Sequence, residues 1–161
     1  MVHKLNDSWV LWYHSPIDNK WDINSYKMIK SVNTIEEFWS LYNFLNDDHV
    51  NYSMFFLMRE GINPIWEDEH NKSGGCWSFK IAKKDVYKSW TELSIALLGE
   101  FITIDKTNSK EINGISISPK KTFSIVKIWN NNSKNHSYNI LSKKIPYIYL
   151  NSSIYKAHIS S

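Results

Sequence analysis

The chain has 161 residues, 42% hydrophobic and 22% charged, with a formal net charge of +3. That length and apolar content suit one domain spanning residues 1–161 and exclude disorder throughout. The small net charge argues against a long duplex-DNA footprint, and a single cysteine, Cys76, excludes an internal disulfide.

Trp9–His14 is short and aromatic and reads as a strand, followed by a turn at Pro16–Lys20 with Trp21 just beyond it. Tyr26–Val32 reads as a second strand. Thr34, with Glu37 three residues on, has the capping-box pattern. Ile35, Phe38, Trp39, Tyr42 and Leu45 follow at helical spacing, so a helix is expected from Ile35 to about Asn46. Tyr52–Met58 reads as a buried strand, and Gly61–Gly75 as a polar loop whose Gly74-Gly75 pair turns into a strand at Trp77–Ala82. Val86–Leu98 predicts a second helix stopped by Gly99 at C′. Ile112–Ser118 and Phe123–Trp129 read as a hairpin, Ser137–Lys144 as a short third helix and Tyr147–Leu150 as the last strand. The mixture predicts the α+β class, an antiparallel sheet layered with helices.

The chain contains eight Trp. Trp9, Trp12, Trp77 and Trp90 read as core, and Trp39 on a helix face would ordinarily join them. Trp66 differs, because it sits in a polar loop beside Glu67, in Pro64-Ile65-Trp66-Glu67-Asp68. An exposed indole next to a carboxylate suits a flat, cationic ring that donates hydrogen bonds. 7-Methylguanine is such a ring: its charge is drawn to the indole face, and its N1–H and N2–H groups both reach one carboxylate. A sandwich needs a second indole, and Trp21 after the Pro16 turn is the best placed. The run Glu67-Asp68-Glu69 with His70 lacks other converging ligands, so no metal is expected. No nucleophile–base pair, paired-carboxylate motif or Gly-rich phosphate loop stands out, so neither enzymatic activity nor a cofactor is expected.

The segment Pro64-Ile65-Trp66-Glu67-Asp68-Glu69-His70-Asn71-Lys72-Ser73-Gly74-Gly75-Cys76-Trp77 resembles the signature of the eukaryotic translation initiation factor 4E family. Trp9–Tyr13, Thr34–Asn43, Trp90 through Leu97-Leu98-Gly99-Glu100, and Lys127-Ile128-Trp129 match in order and spacing, covering about His3 to His158. The resemblance implies a curved antiparallel sheet with three helices on its convex face. It implies cap binding, with Trp21 and Trp66 sandwiching the methylated base, Glu67 accepting its N–H groups, the Trp66 N–H reaching O6 and Trp129 touching the N7 methyl. Lys120, with Lys121 beside it, would meet the phosphates. His3, Ile35, Trp39, Glu92, Ile95, Leu98, Gly99 and Glu100 match a dorsal surface that holds a helical peptide of a scaffold initiation factor or a competing repressor.

Three residues depart from the family pattern. Cys76 stands where an Arg usually faces the phosphates, Ile125 where a phosphate-binding Lys is usual, and Thr91 replaces a dorsal leucine. The chain also starts and stops close to the matched motifs, so the usual terminal extensions are not expected. Its Asn, Ile and Lys content suggests an AT-rich genome, and with the resemblance it suggests a compact viral or parasite version of the family. Met1–Trp12 has no apolar run of a signal peptide, and no stretch reaches the roughly 18 apolar residues of a membrane span. A cytoplasmic monomer without membrane contact is expected. The expected function is recruitment of 7-methylguanosine-capped mRNA and a scaffold protein to start translation. The alternatives are a cap-binding repressor and a Trp-rich module for single-stranded RNA or carbohydrate.

Overall fold

In the computed structural model, which describes residues 1–159, alternation along the strands separates two faces of one sheet. The last two residues of the expected domain lie outside the described residues. The strands are β1 (Lys4–His14), β2 (Tyr26–Thr34), β3 (Met54–Arg59), β4 (Gly75–Ala82), β5 (Ile112–Pro119), β6 (Phe123–Asn130) and β7 (Ile154–Ala157). They pair antiparallel throughout, in the order β2-β1-β3-β5-β6-β4-β7. Register shifts between Leu11 and Trp12 and between Ile112 and Gly114 add local bends to the sheet. One face carries Trp9, Leu11, Leu57, Trp77, Ile115 and Ile128 into the main core. The other carries Phe56, Met58, Cys76 and Trp129, a smaller cluster with no helix over it.

Helices α1 (Ile35–Phe44), α2 (Asp47–Tyr52) and α3 (Val86–Leu98) cover the first face; α4 (Lys106–Ser109) is a single turn before β5. Trp90, Leu93 and Leu97 of α3 are essentially buried in the core. Each such apolar side chain stabilises the fold by roughly 1.5–3 kcal/mol. Thr34 caps α1 as its sequence suggests, its Oγ1 accepting the Glu37 N–H at 3.1 Å. The Glu37 carboxylate reaches back one residue further than expected, to the Asn33 N–H at 3.2 Å.

Four expectations change. The first helix stops at Phe44 instead of Asn46, because Asn46 caps α2, accepting the His49 N–H at 2.9 Å. Tyr52 therefore closes α2 and does not open β3. The helix expected at Ser137–Lys144 reduces to a 3-10 turn at Tyr138–Ile140, because Leu141 bridges Thr103 and the Ser142 N–H donates to Ile102 O at 2.7 Å. The third helix of the layer is α2. The strand expected at Tyr147–Leu150 is absent: Tyr147 has φ 68, which breaks an extended run, and β7 forms later, against β4.

The end of α3 also differs in detail. Gly99 is right-handed, with φ −80, and the left-handed C′ position falls to Glu100, with φ 61. The Phe101 N–H donates to Ala96 O and the Glu100 N–H to Leu97 O, the paired bonds of a Schellman stop. At Gly99 a Cβ would lie 2.6 Å from the half-exposed Phe101 ring, which would have to move aside. Gly74 is required by close approach: a Cβ would lie 1.8 Å from Asn130 O. No helix among the described residues is long and apolar enough to cross a membrane.

Candidate functional site

The face without helices holds a cavity of about 520 Å³. Trp21 and Trp66 both line it from loops, each 48% exposed, while Phe56 and Trp129 line it from the sheet. Exposed indoles of this size are costly unless a ligand covers them. Trp129 is buried and held in orientation, its indole N–H donating to Ser116 Oγ at 3.0 Å.

The loop carrying Trp66 and Glu67 is built from side-chain hydrogen bonds to its own backbone. Asn71, fully buried, donates from Nδ2 to Asn63 O at 3.0 Å and to Ile65 O at 2.9 Å, and its Oδ1 accepts from Asn113 at 2.8 Å. Asp68 accepts the N–H groups of Asn63 and His70. Burial alone would raise the Asp68 carboxyl, but these bonds and the His70 ring outweigh it and hold it below its ordinary range. Asp68 is thus used by the loop. Glu67, the residue beside it, makes no side-chain hydrogen bond or ion pair among the described residues, and the Trp66 N–H donates to none of them. The Glu67 carboxylate faces Tyr26, whose hydroxyl is pushed up to about 12 by burial and by that charge.

The basic edge of the cavity differs from the expectation. Lys120 lines it, but Lys121 does not, and Lys127 joins it from β6. A neighbouring recess of about 310 Å³ shares Trp66, Cys76, Lys127 and His158 with it and adds Ser78 and Lys156. Burial pushes the Cys76 thiol up to about 12, so it is a neutral thiol there. His158, with Nε2 3.8 Å from the Cys76 sulfur, is lowered to about 4 by burial and then by Lys127, so it is neutral too. The positive charge of this recess therefore rests on Lys127 and Lys156. Lys127 was discoverable in the sequence: it lies two residues before Trp129 on a strand, hence on the same face. Lys156, which the sequence offers with Lys143 and Lys144 as an alternative phosphate contact, stands opposite Cys76 on β7.

On the opposite side, α1 and α3 flank an apolar groove of about 230 Å³ lined by Leu5, Ile35, Phe38, Trp39, Ile95, Leu98, Gly99 and Phe101. Trp39 is 43% exposed there. His3 lies at the start of α1, its carbonyl accepting the Ile35 N–H at 2.9 Å and its own N–H donating to Glu36 at 2.6 Å, and Glu92 is exposed one turn before Ile95. Glu100 behaves differently from the other dorsal residues. Both its oxygens are taken by Arg59, at 2.6 and 2.9 Å, and Arg59 lies over Trp9 at 4.4 Å from the ring centroid. It serves the fold and does not line the groove.

The family model for eukaryotic initiation factor 4E matches residues 4–158. The initiation factor 4E of Candida albicans is 38% identical over 137 residues, covering 79% of this chain and 64% of that protein. That of Saccharomyces cerevisiae is 35% identical over 133 residues, covering 79% of this chain and 61% of that protein. The chain thus spans a little over three fifths of the length of the curated relatives it matches. Among solved structures, Ascaris suum eIF4E-3 with m7G cap matches at TM-score 0.83 and 29% identity, over 100% of this chain and 94% of that chain. Caenorhabditis elegans eIF4E-3 in complex with the 4E-binding protein Mextli matches at TM-score 0.83 and 26% identity, over 98% of this chain and 94% of that chain. With the family model matched over residues 4–158, the chain belongs to the eukaryotic initiation factor 4E family.

Proposed function

We propose that this protein binds the 7-methylguanosine cap of mRNA between Trp21 and Trp66, and holds a peptide of a scaffold initiation factor in the α1–α3 groove to start translation. The observation that carries this is one cavity holding two half-exposed indoles and a carboxylate with no hydrogen-bond or ion-pair partner among the described residues. Its volume of about 520 Å³ suits a nucleotide. The methylated base supplies the positive ring, worth roughly 1–2 kcal/mol per indole face when desolvated. Glu67 accepts N1–H and N2–H, the Trp66 N–H meets O6, and Trp129 abuts the N7 methyl. Lys120, Lys127 and Lys156 meet the phosphates, taking over from the Arg and Lys that Cys76 and Ile125 replace.

The groove suits the apolar face of an amphipathic helix, with Trp39 as its anchor and Ile35, Ile95 and Leu98 beside it. His3 and Glu92 lie at its polar rim. The bound m7G cap in the Ascaris structure and the bound Mextli in the Caenorhabditis complex support both halves of the reading, each in its own protein. Retention on a 7-methylguanosine resin and on a guanosine resin tests it. Selective retention on the first, released by free methylated nucleotide, is expected. Equal retention on both would instead favour a general stacking module.

A further inference from the structure

His14 closes β1 and is fully buried. Its Nδ1 lies 2.8 Å from Ser15 O and its Nε2 2.6 Å from Lys20 O. Both partners are carbonyl oxygens, which only accept. Both ring nitrogens must therefore carry hydrogen for both contacts to be hydrogen bonds, and only the imidazolium does so. A neutral ring, in either tautomer, would set a nitrogen lone pair against one of the carbonyls.

The two carbonyls are the two ends of the loop that delivers Trp21. Within it, the Asp18 N–H donates to Ser15 O at 3.1 Å, and the Lys20 N–H donates to the Asp18 carboxylate at 2.9 Å. The Trp21 indole then lies flat on the imidazole, with centroids 4.1 Å apart and planes 6° apart. Trp21 lines the cavity and His14 does not, so the imidazole backs the indole face turned away from it. One ring thus fixes both the chain before Trp21 and the plane of Trp21 itself.

We propose that His14 is a positioning residue for Trp21 that works as the imidazolium, so that the indole is held ready for the base while His14 is protonated and loosens when it is not. The pocket role of this device rests on the cap-binding reading above. The other groups facing His14 do not compete for its proton. Tyr26 of β2 has its ring 4.7 Å away and its hydroxyl, pushed up to about 12, stays neutral. Met54 of β3, the register partner of His14, carries no charge, and the Asp18 carboxylate accepts the Lys20 backbone N–H. An imidazolium and a cationic base on opposite faces of one indole repel. The base also meets Glu67, which offsets that repulsion, whereas a neutral His14 gives up its bond to one of the two carbonyls.

The test has a ligand-free arm and a binding arm. Nitrogen–proton correlation spectra of the His14 side chain, recorded together with the Trp21 indole signal, should show that signal sharp only in the form with both ring nitrogens protonated. A sharp, unchanged Trp21 signal beside a neutral His14 tautomer overturns the proposal. In the second arm, the affinity for 7-methylguanosine monophosphate is measured against pH for the unmodified protein and for His14→Phe; their ratio cancels the titration of the nucleotide. The variant should bind about tenfold more weakly on the acid side, the loss of a charge-assisted hydrogen bond. The ratio should approach one as His14 deprotonates, and a ratio that stays flat with pH overturns the proposal. If the unmodified protein binds no nucleotide while the first arm behaves as expected, the cap-binding reading fails and the His14–Trp21 device stands.

Discussion

Asn71 is the most informative single position outside the cavity lining, because it holds the loop that presents Trp66 and Glu67. Replacing it with Ala removes two bonds donated to Asn63 O and Ile65 O and one accepted from Asn113. Asn113 keeps its bond to His70 O, and Ile65 O keeps the Asp68 N–H at 3.3 Å, so part of the loss is recovered. At about 1 kcal/mol net per bond, with more for a carbonyl left unpaired, the cost comes to roughly 2–4 kcal/mol. The loop pays this locally, in order around residues 63–71, so the affinity for 7-methylguanosine monophosphate should fall at least about tenfold. Asn71→Asp should be no better than Ala, since it sets an oxygen against two carbonyl oxygens. Tryptophan fluorescence titration reads the affinity, and binding of an amphipathic peptide in the groove serves as the control for folding. An Asn71→Ala protein that binds the nucleotide as tightly as the unmodified chain would refute the reasoning.

Three further outcomes are expected. Trp39→Ala should weaken binding of a scaffold peptide by about 2 kcal/mol or more and leave nucleotide affinity unchanged, measured by calorimetry with both ligands. Lys127→Ala and Lys156→Ala should each weaken 7-methylguanosine triphosphate by on the order of 1 kcal/mol at low salt, and the monophosphate less. Lys121→Ala, off the cavity, should change neither nucleotide in the same titrations. Stability should fall as pH drops from about 6.5 to about 4, because His158 is protonated in the unfolded chain across that window and resists it in the fold. His158→Gln should flatten this part of a denaturation series, whereas loss from Asp68 belongs to lower pH, below its ordinary 3.8.

Much of the base site could be read from the sequence because its parts are local. Trp66 and Glu67 are adjacent in a loop that no periodic pattern explains, and Trp129 closes a strand whose alternation is plain. The same alternation carries Lys127, a single lysine less conspicuous than the Lys120-Lys121 pair. Other features depend on distant partners. Glu100 sits in a motif matched to the dorsal surface, but Arg59, 41 positions away, claims its carboxylate. Asn71 was only one letter of a motif until the loop closed around it. His14 acquires its role from carbonyls that come together only when the loop after β1 folds back. The last strand was misplaced because Tyr147–Leu150 has strand-like composition, and the left-handed Tyr147 leaves no mark in composition.

The central claim is that the methylated base lies between Trp21 and Trp66. A crystal structure of the protein with 7-methylguanosine triphosphate measures this directly. The base should lie stacked between the two indoles, with its N1 and N2 edge at Glu67 and the phosphates running toward Lys127 and Lys156. A base bound elsewhere, or one indole face left uncovered with the nucleotide bound, would contradict it.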